Sequence, residues 1–353
     1  MSIRTTVLVA AAAALGSFAA PLPAQQASPG GTALANDSRQ IVLRMARSDD
    51  EDPLAAGKAA ATQLKRQLAG LVPKIVLVGE CYEGKQSKAR VLEGVASVFP
   101  AAIIFGGSNY GGFNQAGVAG GESVVVSALA GRNIDVQPVC VENIGTAGLT
   151  LEKNREELEN RYCKAGKELA GKLARNDRNR LLVVIADAHS PKNGPLVEGI
   201  RSVLGPAFPV TGGCVNKNAG QSFVYCQGKI LSDAVVGLML SGDFKLSLAG
   251  RQAKDNDRVL TTAREGAAEA LAGLQKQGAR PALLLAFDCA GRKGKLKNVA
   301  DELAAILQVT GGDLPILGTY NAGEIGPADV ADRTPGVLSY GVGWHVMFTA
   351  IGW

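Results

Sequence analysis

The sequence predicts an α/β fold of mixed sheets covered by helices, built from repeated β-α-β modules with added antiparallel strands. Three observations support this fold class. A glycine turn follows an apolar strand three times, at Gly106, Gly212 and Gly318, which are 106 residues apart each time. A longer apolar strand and a helix precede each turn, and a further apolar strand follows it. So long a period indicates duplication of a whole module, because solenoid repeats have units of roughly 20–50 residues.

The first strand of each module is a continuous apolar run that ends in a carboxylate, at residues 74–80, 181–187 and 282–288. Runs without polar alternation indicate strands that are covered on both faces. A helix and the glycine-turn strand follow each run. A β-α-β step of this kind implies a parallel pair with a right-handed crossover.

The remaining elements complete each module. A helix precedes every apolar run, and the first one has the clearest start, because acidic residues at 49–52 come just before Pro53 and a proline suits the first helical turn. A short strand at 41–45 comes before that helix. The predicted helices are 55–71, 151–173 and 259–277, and the antiparallel strands are 122–129, 233–240 and 336–348.

Composition indicates a globular chain with a large core, because 46% of the 353 residues are hydrophobic and 20% are charged. The net charge of +5 is spread over predicted helix faces, whereas a nucleic-acid groove needs a basic stripe. We therefore expect no nucleic-acid partner. Residues 291–295 form a basic loop that lacks the full phosphate-loop spacing, and we expect no cofactor.

The N-terminus has the pattern of a secretory signal. Arg4 precedes an apolar run at 7–15, and small residues and prolines follow up to Ala24. We expect a signal peptide at 1–24, a flexible leader at 25–38 and a periplasmic or extracellular mature protein that is not held at a membrane. The alternative is an uncleaved anchor, although the apolar run is short for a membrane span.

Export would place the cysteines in an oxidising compartment. Six cysteines allow fifteen complete pairings, and the sequence does not choose among them. The best single pairing is Cys214 with Cys226, across a predicted hairpin. No Cys-x-x-Cys spacing or Cys/His cluster indicates a metal site. The six are Cys81, Cys140, Cys163, Cys214, Cys226 and Cys289.

A binding site is expected beyond the carboxyl ends of the parallel strands, where ligands of such sheets lie. Glycine turns let backbone N–H groups approach an anionic group, and strand-end carboxylates can accept an ammonium group. The alternative is that the glycines only make tight turns and the carboxylates cap helices. The candidate residues are Ser108, Asn109, Cys214, Tyr320, Asn321 and Glu324, with the strand-end carboxylates Glu80, Asp187 and Asp288. We expect one polar pocket to contain Tyr320, Asn321 and Glu324, with the Gly106 or Gly212 turn nearby.

The block at 314–327 resembles the FIST sensory domain family, whose C-terminal region ends in Gly-x-x-x-x-Gly-Glu-Ile-x-Pro. Here that motif runs from Gly318 to Pro327. Ala46-Arg47-Ser48, an acidic stretch, a helix and the strand at 75–78 are also similar to the family. The resemblance implies a FIST N-terminal region with two modules at 39–250 and a FIST C-terminal region at 251–353. It also implies sensing of a small ligand, with amino acids as the proposed class.

Two departures from the family affect the expected role. Its members are mostly fused to signalling output domains, whereas this chain carries an export pattern, and its second turn lacks the Gly-Glu-Ile ending. We therefore expect a sensory or scavenging protein that binds a small polar ligand, with an unknown signalling partner and no catalytic residues. A purely structural interaction role is a further alternative.

A hydrolase is the alternative from another functional class. His189 follows Asp187 at a strand end, and Cys81 and Cys289 occupy analogous places. Histidine beside a thiol or hydroxyl forms a nucleophile–base pair. The two hypotheses differ in geometry, because an enzyme needs His189 within hydrogen-bonding reach of such a group, whereas a binding protein needs a pocket at the glycine turns.

Overall fold

The computed structural model describes residues 41–218 and 220–353, which form eighteen strands in three six-stranded mixed sheets and seven α-helices. The expected signal peptide and leader, at 1–24 and 25–38, lie outside the described residues. In the part of the chain that the structure describes, no helix combines the length and the apolar character needed to cross a bilayer.

Each module contains the predicted helices and long strands in order, and the strands at Ile134–Val141 and Lys245–Gln252 and the short hairpins are additional. The first contains β1 (Val42–Ser48), α1 (Pro53–Leu68), β2 (Pro73–Glu80), α2 (Lys85–Ala96), β3 (Ile104–Ser108), β4 (Gly112–Asn114), β5 (Gly117–Val118) and β6 (Val124–Ala130). The second contains β7 (Ile134–Val141), α3 (Leu151–Gly171), β8 (Asn179–Ala186), α4 (Asn193–Leu204), β9 (Val210–Cys214), β10 (Val224–Cys226), β11 (Lys229–Leu231) and β12 (Val235–Gly242). The third contains β13 (Lys245–Gln252), α5 (Asn256–Gln275), β14 (Pro281–Cys289), α6 (Ala290–Lys293), α7 (Ala300–Thr310), β15 (Ile316–Asn321), β16 (Glu324–Gly326), β17 (Tyr340–Val342) and β18 (His345–Gly352).

Helix α1 begins where its capping residues predict. The Asp52 carboxylate accepts a hydrogen bond from the Leu54 amide at 2.8 Å, and Pro53 occupies the first turn, where its missing N–H costs nothing. The helix ends at Ala69, which adopts the left-handed conformation with φ of 48°. Small and aliphatic residues at helical spacing form the face that packs on the first sheet.

The three glycines hold equivalent positions, which confirms the predicted repeat, but the predicted turns are wrong, because each glycine lies within a strand, β3, β9 or β15. We keep the name glycine turn for these strand segments. In each module the apolar strand and the glycine-turn strand form a parallel pair, and the turn glycine lies opposite the same position of its neighbour. The opposed residues are Val78 and Gly106, Val184 and Gly212, and Ala286 and Gly318. The following long strand, β6, β12 or β18, pairs antiparallel with the apolar strand on its other side.

The short hairpin after each glycine turn leaves its own module, which the sequence did not predict. Hairpin β4–β5 joins β15 of the third module, β10–β11 joins β3 of the first, and β16–β17 joins β9 of the second. The resulting strand orders are β1-β6-β2-β3-β10-β11, β17-β16-β9-β8-β12-β7 and β13-β18-β14-β15-β4-β5. The exchange is cyclic, so every sheet is completed by a neighbouring module.

The core has one central cluster and three outer ones. In the central cluster the equivalent strand residues Ile75, Leu181 and Leu283 belong to the inward faces of the three sheets. Each outer cluster lies between a sheet and its helices. Every apolar strand is therefore covered on both faces, which is the physical reason for its continuous hydrophobic sequence.

The predicted disulfide between Cys214 and Cys226 is wrong. Cys226 is bonded to Cys140, with 6.8 Å between their Cα atoms, and Cys214 is a buried free thiol. The error follows from the hairpin exchange, because Cys214 ends β9 in the second sheet whereas Cys226 lies on β10 in the first. The bond joins β7 of the second sheet to β10, and so ties the exchanged hairpin back to its own module.

Candidate functional site

A cavity of about 50 Å³ lies among the three sheets, where the glycine turns meet. We call it the central cavity. One water needs roughly 10–15 Å³ by this measure, so the cavity holds a few waters or a ligand of a few heavy atoms. All three modules line it. The polar residues that line it are Ser108, Asn109, Ser127, Thr319 and Asn321, and the apolar ones are Leu77, Val78, Val125, Val183, Ile185, Val215, Phe287 and Leu317.

Glycines let the strands beside this space approach each other closely. Gly106 and Gly212 have φ of 144° and 152°, and a Cβ on either would lie 1.9 or 2.0 Å from the carbonyl oxygen of the neighbouring strand. Gly213 lines the cavity, and a Cβ there would lie 2.4 Å from Cγ of Asn321. A glycine at 213 therefore makes room for an asparagine from another module.

Asn109 and Asn321 occupy equivalent places, three residues after Gly106 and Gly318, and both line the cavity. The Gly111 amide donates to Oδ1 of Asn109 at 2.9 Å. Nδ2 of Asn321 donates to the Thr319 carbonyl at 2.7 Å. These bonds hold each amide in place. The second module has Val215 at this position, so the cavity is not symmetric in its polar groups.

Two serines also line the cavity. Oγ of Ser108 donates to the Asn216 carbonyl at 2.9 Å. Ser127 is 1% exposed, and its Oγ has no hydrogen-bond partner among the described residues. Sequence reasoning missed Ser127, although it is the single hydroxyl in the apolar strand β6. The equivalent residue of the third module, Thr349, donates to Thr211 at 3.1 Å.

Glu80 does not line the cavity, because it points towards the helices. Nζ of Lys88 lies 3.0 and 3.2 Å from its two carboxylate oxygens, and the Tyr225 hydroxyl donates to it as well. Burial raises the pKa of Glu80, and the Lys88 ammonium opposes that shift. The carboxylate is thus committed to an internal ion pair.

Asp288 holds the position of Glu80 in the third module, where Nε of Arg292 donates to it at 2.8 Å. Nη2 of Arg292 donates to Glu302 at 2.8 Å. Burial raises the pKa of Asp288 and of Glu302, and the Arg292 guanidinium only partly opposes that shift. These charges form a buried network outside the cavity lining.

Asp187 falls one residue later than Glu80 and Asp288, because Ala186 takes their position in the second module. Asp187 therefore corresponds to Cys81 and Cys289. Its oxygens accept hydrogen bonds from the Ser222 hydroxyl at 2.7 Å and the Asp233 amide at 3.0 Å. It fastens the loops of its own module and does not line the cavity.

Three further candidates also lie away from the cavity. The ring of Tyr320 lies 5.4 Å from that of Phe113, and its hydroxyl donates to Glu302 at 3.4 Å. Glu324 is fully buried, and one oxygen accepts from the His345 amide at 3.0 Å. Burial raises the pKa of Glu324 and of the Cys214 thiol well above their usual values. Of Tyr320, Asn321 and Glu324, only Asn321 lines the central cavity, beside the Gly106 turn.

The pair required by the hydrolase alternative is not assembled. His189 is exposed, and no thiol or hydroxyl in the described residues is hydrogen-bonded to its imidazole. Sγ of Cys81 instead donates to the Gly121 carbonyl at 2.8 Å. Within residues 41–218 and 220–353, no group of histidine, cysteine and carboxylate side chains is arranged to hold a metal ion.

Comparisons with known proteins agree with the resemblance seen in the sequence. The FIST N domain model matches residues 76–267, and the FIST C domain model matches residues 238–327. Two solved structures of cyanuric acid hydrolase are similar at 12% identity. One covers 88% of this chain and 99% of its own with a TM-score of 0.43, and the other, from A. caulinodans, covers 89% and 100% with a TM-score of 0.42.

No curated protein matches the chain significantly. The FIST N domain match by itself spans more than half of the 353 residues, and the FIST C domain match extends it towards the C-terminus. The chain therefore belongs to the FIST family.

Proposed function

We propose that this FIST protein binds a small polar ligand in the central cavity and acts as a sensor or a scavenger. The observation that carries the proposal is that the residues lining the cavity come from all three modules. Residues next to all three glycine turns border one small space at the carboxyl ends of the parallel strands. Ligands of parallel sheets bind at such ends.

The lining is suited to binding because it is held rigidly. Ser108, Asn109 and Asn321 lie on or directly beside strands, and each has a hydrogen bond that fixes its side chain. Sites built on strands keep their geometry better than sites on loops. A ligand here would touch all three modules at once, and so would stabilise the whole fold by mass action.

The family resemblance makes an amino acid or a similar small molecule the first candidate ligand, and the size of the cavity agrees with it. We also propose that the protein is exported to the periplasm or beyond. The disulfide between Cys140 and Cys226 supports an oxidising compartment. Mass spectrometry of the exported protein should find a new N-terminus near residue 25, and an intact Met1 would refute the export proposal.

A thermal-shift screen with amino acids, small carboxylates and their uncharged analogues tests the binding proposal. The screen should find a compound that raises the melting temperature, because binding to the folded state alone stabilises it. Asn321→Ala should weaken that compound, whereas the matched Glu324→Gln, in the same segment but outside the lining, should not. A compound that both Asn109→Ala and Asn321→Ala bind as tightly as the wild type would place the site elsewhere and contradict the proposal.

A further inference from the structure

The central cavity offers hydrogen-bonding groups but no charge. Among the described residues that line it, the polar side chains carry only hydroxyl and amide groups, and the others are aliphatic, aromatic or glycine. Its backbone groups are also neutral. A ligand inside would therefore meet no side chain of opposite charge.

The nearby charges on the strand ends are engaged elsewhere. Glu80 forms an ion pair with Lys88, and Asp288 forms one with Arg292. Both pairs are fully buried on the helix side of their sheets. Asp187 accepts hydrogen bonds from its own module. None of these groups is free to neutralise a ligand in the cavity.

One group in the lining lacks a partner. Oγ of Ser127 is buried at the cavity and makes no hydrogen bond to any described residue. A buried hydroxyl without a partner is unfavourable, and a suitable atom of a ligand would remove that penalty. Ser127 lies opposite Leu77, so an apolar wall adjoins the unpaired hydroxyl.

We propose, on the basis of the proposed function, that the ligand of the central cavity is an uncharged molecule with a small apolar body. Its polar end would bond to Oγ of Ser127 and to the amides of Asn109 and Asn321. The physical reason is desolvation. An ion that moves from water into a site without a counter-charge loses far more hydration free energy than a neutral amide or hydroxyl does. A zwitterion would carry two such charges, so we expect an uncharged small molecule rather than the amino acid that the family resemblance alone makes the first candidate.

Three probes with the same three-carbon body test this on the full chain by calorimetry and thermal shift. Propionamide is uncharged, propionate is an anion and alanine is a zwitterion. We expect propionamide to bind at least about tenfold more tightly than either charged probe. A ligand with a millimolar dissociation constant is saturating at about 100 mM. If propionamide at that concentration does not raise the melting temperature, the inference is overturned.

The two proposals can fail separately. If alanine or propionate binds more tightly than propionamide, and Asn321→Ala abolishes that binding, the binding function stands and the uncharged class is refuted. If a probe binds but Asn321→Ala and Ser127→Ala leave its affinity unchanged, the central cavity is not the site, and both proposals are wrong.

Ser127→Ala supplies a second readout. It removes a hydroxyl that has no partner in the free protein, so the melting temperature without ligand should be unchanged or higher. Propionamide should bind about five- to tenfold more weakly. Thr349→Val is the matched control, because Thr349 holds the equivalent strand position but bonds to Thr211. That variant should melt lower and keep its affinity. Loss of affinity in Thr349→Val alone would overturn the role of Ser127.

Discussion

Nζ of Lys88 and Oε1 of Glu80 lie 3.0 Å apart, and neither side chain is exposed to solvent. Glu80 ends β2 opposite Ser108, which lines the central cavity. The ion pair therefore fastens helix α2 behind one wall of the cavity. Removing the ion pair should therefore lower the free energy of unfolding and disturb the cavity wall in front of it.

Lys88→Met should lower the free energy of unfolding by about 3–5 kcal/mol, because it leaves a buried carboxylate without its partner. Urea denaturation measures the loss. The double variant Glu80→Gln/Lys88→Met should recover most of it, since no buried charge remains. Arg155→Ala, which breaks an exposed pair with Glu159, should cost less than about 0.5 kcal/mol. Equal losses for Lys88→Met and Arg155→Ala would contradict the burial of the pair.

Glu324→Gln should change how stability depends on pH. Burial raises the pKa of Glu324 in the folded state, so the folded protein keeps a proton that the unfolded chain releases. The associated stability is complete below about pH 4.5 and is lost as the pH rises through the folded pKa. Glutamine does not ionise. The variant should therefore match the wild type near pH 4 and melt above it at pH 8, by roughly 2–4 °C for each kcal/mol.

Melting curves between pH 4 and pH 9 give the comparison for Glu324. Glu156→Gln, at an exposed position of α3, is the control and should leave the profile unchanged. Parallel profiles for Glu324→Gln and the wild type would show that this carboxyl does not titrate differently in the folded and unfolded states.

Gly318→Ala should destabilise the protein by about 1–3 kcal/mol through overpacking. A Cβ at this position would lie 2.3 Å from Cε2 of Phe113, which the first module contributes through its exchanged hairpin. Gly312→Ala is the matched control, because its Cβ would meet no atom within 4 Å. Phe113→Leu should reduce the cost of Gly318→Ala in a double-mutant cycle. Equal stability of the two alanine variants would argue that the hairpin does not sit on β15.

Cys140→Ser should lower the free energy of unfolding of the oxidised protein by about 2–5 kcal/mol, because the bond closes a long loop. The bonded cysteines are 86 positions apart. Dithiothreitol should destabilise the wild type by the same amount as this substitution, and it should not destabilise the variant further. Cys163→Ser removes a free thiol and should have no such effect. Peptide mapping without reduction should recover Cys140 linked to Cys226, and a Cys214–Cys226 peptide would refute the pairing.

Part of the candidate site was predictable because local sequence specifies where strands end. Ser108, Asn109 and Asn321 follow glycine turns, and all three line the cavity. Ser127 escaped prediction, since a lone hydroxyl in an apolar strand does not reveal which space it faces. Asp187 was grouped with Glu80 and Asp288 because each ends an apolar run. A shift of one residue along a strand reverses the side-chain direction, and Asp187 has that shift.

The sequence by itself determined the elements and their repetition. Apolar runs, capping residues such as Asp52 with Pro53, and the spacing of Gly106, Gly212 and Gly318 act through local backbone geometry and burial. They therefore predicted the strands, the helices and the equivalent turns. Only the tertiary structure decided which sheet each hairpin completes, which cysteine Cys226 meets, and that residues from three modules enclose one cavity. Those outcomes depend on packing between segments about a hundred residues apart, and no short stretch of sequence records its distant neighbours.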